Sequence, residues 1–402
     1  MEERVRYRTV LAHREFRALF AAQTLSLLGD QLARIALAIL VYRRTGSTLQ
    51  SSATFAVSYL AYLVGGPLLS GLADRYPRLT VMVTCDLVRV PVVLALCLTT
   101  LPLWVVFVLI GVLGAAGPPF DSARSALQPD VLEGEAYVVG NTLMNVCGQI
   151  SQILGFVLGG AIVALTSVRG ALALDAATFL VSAGVLLHGV RPRPPAQTEL
   201  GTFFRDTLQG LGLVARSARL RRLLQFAVLA SVSVTATEGL AVAVADELGH
   251  GAVMAGVLTA TVPTGFLLAS GLVLRVPSAQ REGLLPWLVL LSTVPLLATG
   301  FLHSVVPLVL LWALAGAGAT ANLVAGPAFV QSCPAEFRGR AYGIATACLM
   351  TAQGLGLLAS GWLGTVFSPR TAVAVVAALM LVLAFPVMAA QGMPRTIRNV
   401  HQ

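Results

Sequence analysis

LWVVFVLIGVLGAAGPPFDSARS, residues 103–125, carries no charged side chain before Asp121. A helix on the surface of a soluble domain keeps a polar face, and this run has none. About 20 mostly apolar residues are what a helix needs to cross the hydrocarbon core of a bilayer. The same reading extends in both directions. Membrane spans are predicted near 16–41, 48–72, 79–101, 103–125, 138–165, 171–190, 223–245, 252–275, 284–302, 305–330, 339–366 and 371–391. The predicted fold is therefore an all-α membrane protein of about twelve transmembrane helices.

Composition supports this. Of 402 residues, 56% are hydrophobic and 11% charged, with a mean hydropathy of +0.82. Soluble chains are about 25% charged. The net charge of +9 and the pI of about 9.9 would suit a nucleic-acid binder. The arginines, however, sit mostly between apolar runs, where they face anionic lipid. No lysine is present. Arginine keeps its proton in proteins, so a proton carrier must be a carboxylate or one of the five histidines. Cys85, Cys97, Cys147, Cys333 and Cys348 show no C-x-x-C spacing and are expected to be packing residues. Met1 to Arg17 is charged and lacks the apolar core of a signal peptide, so the first span is expected to stay uncleaved.

The connections are short except for residues 191–222. That stretch opens Arg191-Pro192-Arg193-Pro194-Pro195, where prolines stop a helix, and continues through Arg205, Arg216, Arg219, Arg221 and Arg222. It reads as a linker carrying an amphipathic surface helix between six-span bundles at 1–190 and 223–402. With the N-terminus inside, inner segments hold about twenty arginines, and outer segments hold only Arg43, Arg44, Arg169 and Arg370. The positive-inside rule then puts both termini and the linker in the cytoplasm of a cell (plasma or inner) membrane. Gly117-Pro118 matches Gly326-Pro327, Ala136-Tyr137 matches Ala341-Tyr342, and Gly155 to Gly160 matches Gly356 to Gly361. The offsets are all about 205 residues, a weak internal repeat. Two pseudo-symmetric halves of this kind fit a transporter whose site lies between them.

The segment Ser70-Gly71-Leu72-Ala73-Asp74-Arg75-Tyr76-Pro77-Arg78-Leu79 resembles the G-x-L-A-D-R-x-G-R-R loop of the major facilitator superfamily. It lies in the expected place, between spans two and three. Leu72, Ala73, Asp74, Arg75 and Arg78 match; Ser70, Pro77 and Leu79 depart. Gly155-Phe156-Val157-Leu158-Gly159-Gly160 resembles the G-P-x-x-G-G element of antiporter members, with Phe156 where proline is usual. Phe16 to Phe20, Leu28-Gly29-Asp30, Tyr42 to Ser47, Pro118 to Asp130 and Asp175 to Leu180 resemble the branch containing enterobactin exporters and macrolide efflux pumps. The resemblance implies alternating access and efflux driven by a proton gradient. It also implies that Asp74 and Arg124 belong to a lock on the inward gate. Independently of any family, Gly155, Gly159 and Gly160 offer a small-residue face for close helix packing.

A charge at the bilayer centre costs roughly 3 kcal/mol on insertion scales, so charges within spans call for a role. Asp30 lies ~21 Å into the first span, at 1.5 Å per residue. Glu238 lies at a similar depth in the seventh span, and the two are expected to face one cavity from repeat-related helices. Arg34, one turn beyond Asp30, can reach it or form a static pair with it. Asp30, Arg34 and Glu238 are the proton-coupling candidates, with a structural role as the alternative. A second group is expected near the cytoplasmic ends of spans two to four: Asp74, Arg75 and Arg78, then Asp86 with Arg89, then Asp121 with Arg124. Both pairs have i,i+3 spacing, and the group reads either as a gate or as topology signals. Asp175 is expected near the outer end of span six in a structural role. Asn141, Asn145, Gln149 and Gln152 make one polar face of span five, lining a cavity or a helix contact. Phe55, Tyr59 and Tyr62 share a face of span two, as packing or as substrate contacts.

Together these readings predict a proton-coupled exporter of drug-like or natural-product small molecules. An importer or facilitator of a small metabolite is the alternative, and a sensor without transport stays open. H-E-x-x-H and G-x-S-x-G motifs are absent from the sequence, which argues against an enzyme. The expected partners are a small-molecule substrate, protons and the lipid bilayer, with no nucleic acid, no cofactor and no metal, and the working unit is a monomer. The predicted topology is testable in intact cells by labelling single cysteines from outside. A cysteine near Gly249 should react and one near Arg205 should not; the reverse pattern would invert the orientation.

Overall fold

The computed structural model describes residues 7–69, 72–98, 100–194, 212, 214–334 and 338–389; within these, the side chains of 64, 66–68, 73, 74, 338–340 and 342 are left undescribed. Every regular element among the described residues is a helix. The chain forms two compact units, residues 1–200 with 250–260, and residues 201–249 with 261–402.

The first unit contains α1 (Tyr7–Ala12), α2 (Arg14–Thr45), α3 (Thr48–Leu69), α4 (Leu72–Arg75), α5 (Arg78–Leu96), α6 (Leu103–Ala115), α7 (Gly117–Val131), α8 (Gly134–Leu165) and α9 (Val168–Gly189). The long α2 is its centre and packs on α3, α8 and α9. Phe16, Leu19, Met82, Phe120, Leu127 and Leu186 form a buried core at one end. Gly46 ends α2 in the left-handed conformation (φ 63°), its N–H donating to the Tyr42 carbonyl, a turn glycine adopts without strain. Ser167 caps α9 by accepting from the Gly170 N–H at 3.1 Å.

The second unit contains α10 (Ala218–Glu247), most of α11 (Ala252–Arg275), α12 (Ser278–Arg281), α13 (Leu285–Leu297), α14 (Val305–Gly318), α15 (Ala321–Gln331), α16 (Arg338–Val366) and α17 (Pro369–Ala389). Here α10 is central, packing on α15, α16 and α17. Arg370 pairs with Glu247 at 2.9 Å and donates to the Leu302 carbonyl, tying three helix ends together.

Eleven stretches among the described residues are long and apolar enough to cross a membrane; α3, with 22 residues, runs beside them against α6. The predicted spans differ from these helices by a few residues at each end. The run at 103–125 is not one helix: it breaks between Ala115 and Gly117, where Pro118 and Pro119 occupy the first turn of α7. Residues 305–330 likewise divide between Gly318 and Ala321. Most of the 191–222 linker lies outside the described residues, and its predicted surface helix with it.

Lipid tails are as apolar as leucine, so helices in a membrane associate through close packing rather than hydrophobic burial. Two glycine contacts provide that packing, one in each unit. In the first, a Cβ on Gly65 would lie 2.7 Å from the Ala115 carbonyl oxygen, and one on Gly114 would lie 3.0 Å from the Ser58 carbonyl oxygen. In the second, Cβ atoms on Gly265 and Gly316 would collide with the carbonyl oxygens of Ala313 and Val262. Glycines at 65 and 265 and at 114 and 316 thus seal corresponding helix pairs, α3 with α6 and α11 with α14. Hydroxyls in the helices return bonds to their own turns, as Ser233 does to Leu229 O and Thr259 to Ala255 O, both at 2.8 Å.

Gly265→Val should therefore destabilise the purified protein by about 1–3 kcal/mol, the usual penalty of overpacking, or more because backbone must move. Gly271, with open space around its Cβ position, is the control. Thermal unfolding in detergent should fall clearly for Gly265→Val and stay near wild type for Gly271→Ala; equal behaviour would remove the glycine contact as a determinant of packing.

Candidate functional site

Inside the first unit, a cavity of about 140 Å³ is lined by residues of α2, α3, α5, α6, α7 and α9. Its charged lining comprises Asp30, Arg34, Arg89, Asp121 and Asp175. Arg89 is the hub. It is 4% exposed. Its Nη1 lies 3.8 Å from Asp30 Oδ2, 3.9 Å from Asp86 Oδ1 and 3.5 Å from Ser26 Oγ, to which it donates. Its guanidinium carbon sits 5.2 Å from the Phe179 ring centroid and 5.7 Å from that of Phe120, within cation–π range. Asp86 is fully buried and accepts a 2.6 Å hydrogen bond from Ser182 Oγ. Asp175 is 1% exposed. Opposite, the Tyr62 hydroxyl donates to Asp121 Oδ2 at 2.8 Å, and Arg124 lies 3.7 Å from Asp121 Oδ1. The side-chain oxygens of Gln23 and Gln31 and Nε of Arg89 are buried without a protein partner among the described residues. Such atoms have hydrogen-bonding capacity that water or a bound molecule can take up.

This arrangement corrects the sequence-based grouping. Spacing lets Arg34 reach Asp30; the ion pair in the structure is Asp30 with Arg89, while Arg34 lies 5.7 Å from the Tyr59 ring centroid and acts on Asp30 at longer range. Asp86 and Arg89 were expected at a helix end with the gate group. They lie in the interior because α5 rises 1.5 Å per residue, which carries Arg89 ~16 Å beyond Arg78. Arg78 itself stays at that end, donating to Ala126 O at 2.8 Å and pairing with Asp130. Arg75 is exposed, and the side chain of Asp74 lies outside the described residues. Asp121, also expected in the gate group, lines the cavity. Of the aromatic trio, Tyr62 lines the cavity, whereas Phe55 is a core residue at 1% exposure. Asn141 and Asn145 are exposed on α8, and Gln149 and Gln152 are half-buried.

The glycines of α8 serve packing. Cβ atoms on Gly155 and Gly159 would lie 2.8 and 2.9 Å from the carbonyl oxygens of Leu28 and Leu32, so α8 rides on α2 beside Asp30. Gly160 faces Ala252 and Gly256, which cluster with the first unit. Asp175, expected near the outer end of span six in a structural role, lines the cavity. The available signal was its charge inside an apolar span; its burial against α2 is visible only in three dimensions.

In the second unit, Glu238 is half-buried on α10. A separate cavity of about 200 Å³ lies there, lined by apolar residues such as Leu223, Leu224, Phe329 and Leu349, with Asn322 and Thr346 as its polar members. The Asn322 amide donates to Ser231 Oγ at 3.0 Å.

Comparison with known proteins gives this architecture a family. The profile of the Major Facilitator Superfamily matches residues 19–285, well over half of the chain. The chain is 27% identical over 376 residues to the enterobactin exporter EntS of Escherichia coli O1:K1 / APEC, covering 89% of this chain and 87% of that protein. It is 31% identical over 173 residues to the uncharacterized MFS-type transporter YfiS of Bacillus subtilis (strain 168), covering 42% of this chain and 40% of that one. In fold, it is similar to the nucleoside transporter NupG, with a TM-score of 0.75, 16% identity and coverage of 94% of this chain and 99% of that one. It is also similar to a bacterial homolog of the human lysosomal transporter Spinster in an inward-facing, occupied conformation, with a TM-score of 0.76, 12% identity and coverage of 94% and 96%. The chain is a multi-pass membrane protein that belongs to the major facilitator superfamily.

Proposed function

We propose that this chain is a proton-coupled exporter of amphipathic drug-like or natural-product molecules, working by alternating access in the cell membrane with both termini in the cytoplasm. The observation that carries this reading is the buried Arg89, which pairs with Asp30 and Asp86 and lines a cavity with Asp30 and Asp175. Coupling needs a charge that changes as access alternates. Arginine cannot supply it, lysine is absent, the described histidines lie at helix ends or between helices, and carboxylates are the candidates. In general, a dry site favours the neutral form of a carboxylate, while water, a guanidinium or a cationic ligand favours the charged form. A proton and a cationic substrate therefore compete for Asp30, which is the requirement for antiport.

The lining of the first unit's cavity supports the substrate class: Asp30, Asp121 and Asp175 suit a cationic end, and Leu27, Leu37, Ile110 and Phe120 suit an apolar body. The similarity to EntS, named as an enterobactin exporter, supports the outward direction. On the same reading Glu238 is a second coupling candidate, and Asp74, Arg75, Arg78 and Arg124 form the lock of the inward gate. The unpartnered amide oxygens of Gln23 and Gln31 also suit a small hydrogen-bonding metabolite, which keeps an importer or facilitator as the second reading.

Cells with and without the chain, challenged with a panel of amphipathic toxic compounds, separate these readings. Expression should lower accumulation of at least one cationic compound, and a protonophore should abolish the difference. Asp30→Asn should return accumulation to the level of cells lacking the chain while the protein inserts normally. Glu238→Gln should impair export of cationic compounds most. Raised accumulation on expression would favour import, and full export by the Asp30→Asn/Glu238→Gln double mutant would remove both residues from the mechanism.

A further inference from the structure

Arg89 lies within ion-pair distance of two carboxylates, Asp30 and Asp86, while a third, Asp175, lines the same cavity. Asp86 has the Ser182 hydroxyl as well as Arg89. The Asp30 side chain is 30% exposed, so it meets the cavity's interior as well as Arg89. Asp175 has neither advantage. It is 1% exposed. Its carboxylate receives one long contact, 3.5 Å from Thr178 Oγ1, and that hydroxyl makes its shorter bond, 2.7 Å, to the Asp175 backbone carbonyl. Asp175 forms no ion pair among the described residues. Its carboxyl lies directly on α2: a Cβ on Gly29 would collide with Asp175 Oδ1 and Thr178 Oγ1, one residue from Asp30. The charged groups facing it are Asp30 from α2 and Asp86 and Arg89 from α5.

We infer that Asp175 is a second proton-binding site of this cluster and takes part in coupling. The inference rests on the proton-coupled reading above. The argument is one of charge balance. With these four groups and Arg34, which lines the same cavity, all ionised, the cluster would hold three negative charges against two positive charges in a poorly solvated interior. Uncompensated charges there are expelled or neutralised, and carboxylates that share a site do not all ionise. Of the three, Asp175 is the one with 1% exposure and no ion pair among the described residues, so a proton is its compensation. Protonation of Asp30 during transport would free Arg89 for Asp175, which then releases its proton. One proton is bound and one is released, and the charge of the cluster is conserved. Such linked sites titrate as a group rather than singly.

Infrared titration of purified protein tests the assignment without needing a substrate. Wild type at neutral pH should show a carboxylic-acid C=O band that shifts in heavy water. Asp175→Asn should abolish that band, and Asp30→Asn should retain it. Because asparagine has the shape of a protonated aspartate, Asp175→Asn should unfold within about 2 °C of wild type. Asp86→Asn removes a partner of Arg89 and should unfold several degrees lower. In vesicles, the stimulation of export by a pH gradient should be lost in Asp175→Asn. A band that survives in Asp175→Asn, a wild type without the band, or a Tm loss as large as that of Asp86→Asn would overturn the assignment. If wild-type export ignores the gradient, the coupled-export reading fails and the coupling role of Asp175 fails with it. The band would then still decide whether Asp175 holds a proton.

Discussion

A guanidinium that keeps its charge, placed in the interior of a membrane helix bundle, must be compensated wherever it sits. Arg89 is that group, and much of the first unit is arranged around it. Asp30 from α2 and Asp86 from α5 provide charge, Ser26 accepts a bond, and the rings of Phe120 and Phe179 cover the cation. These partners come from four helices, so the arginine fixes how α2, α5, α7 and α9 meet. Removing one carboxylate would weaken the compensation of a buried charge, a larger loss than the pair's own net contribution. An arrangement of this kind makes a poor static brace, because an apolar core would hold the helices at least as well. It makes a good switch, because its charges can change partners.

The scaffold that holds the cluster uses the opposite chemistry. Gly155 and Gly159 bring α8 onto the backbone of α2 beside Asp30, and Gly29 brings α9 and Asp175 onto its other side. Close backbone approach of this kind depends on small residues, since lipid gives helices little reason to associate otherwise. The corresponding seals at Gly65 and Gly114 and at Gly265 and Gly316 repeat the device in both units. Polarity is not repeated. The first unit carries the buried ions, and the described cavity of the second is mainly apolar.

The fold was largely legible in the sequence, because bilayer thickness imposes a length on apolar runs that few other structures need. The spans follow from that constraint. Helix breaks were less legible. Gly117-Pro118-Pro119 begins a new helix, while the repeat-matched Gly326-Pro327 lies inside α15. The site was half legible. Charge inside a span singles out Asp30, whereas Arg89 and Asp121 fall in a group expected near the cytoplasmic ends. Their i,i+3 pairs with Asp86 and Arg124 are present, but spacing along one helix misses partners on other helices. Asp30 takes Arg89 from α5 instead of Arg34, and Asp121 takes Tyr62 from α3 alongside Arg124. Partners between helices depend on rotation about each helix axis, which spacing along one helix does not encode. Phe55 and Tyr62 show the same limit: both belong to one predicted face, yet one is core and the other lines the cavity.

The central claim is that charge exchange in the first unit links substrate movement to proton movement. Its most direct test uses proteoliposomes with a pH-sensitive dye inside and no initial pH gradient. A gradient of a compound that the chain exports from cells is then imposed across the membrane. Antiport predicts that protons move against the substrate flux, so the interior acidifies as substrate leaves, and that Arg89→Gln abolishes this signal. Substrate efflux at the wild-type rate with no change in internal pH would contradict the account.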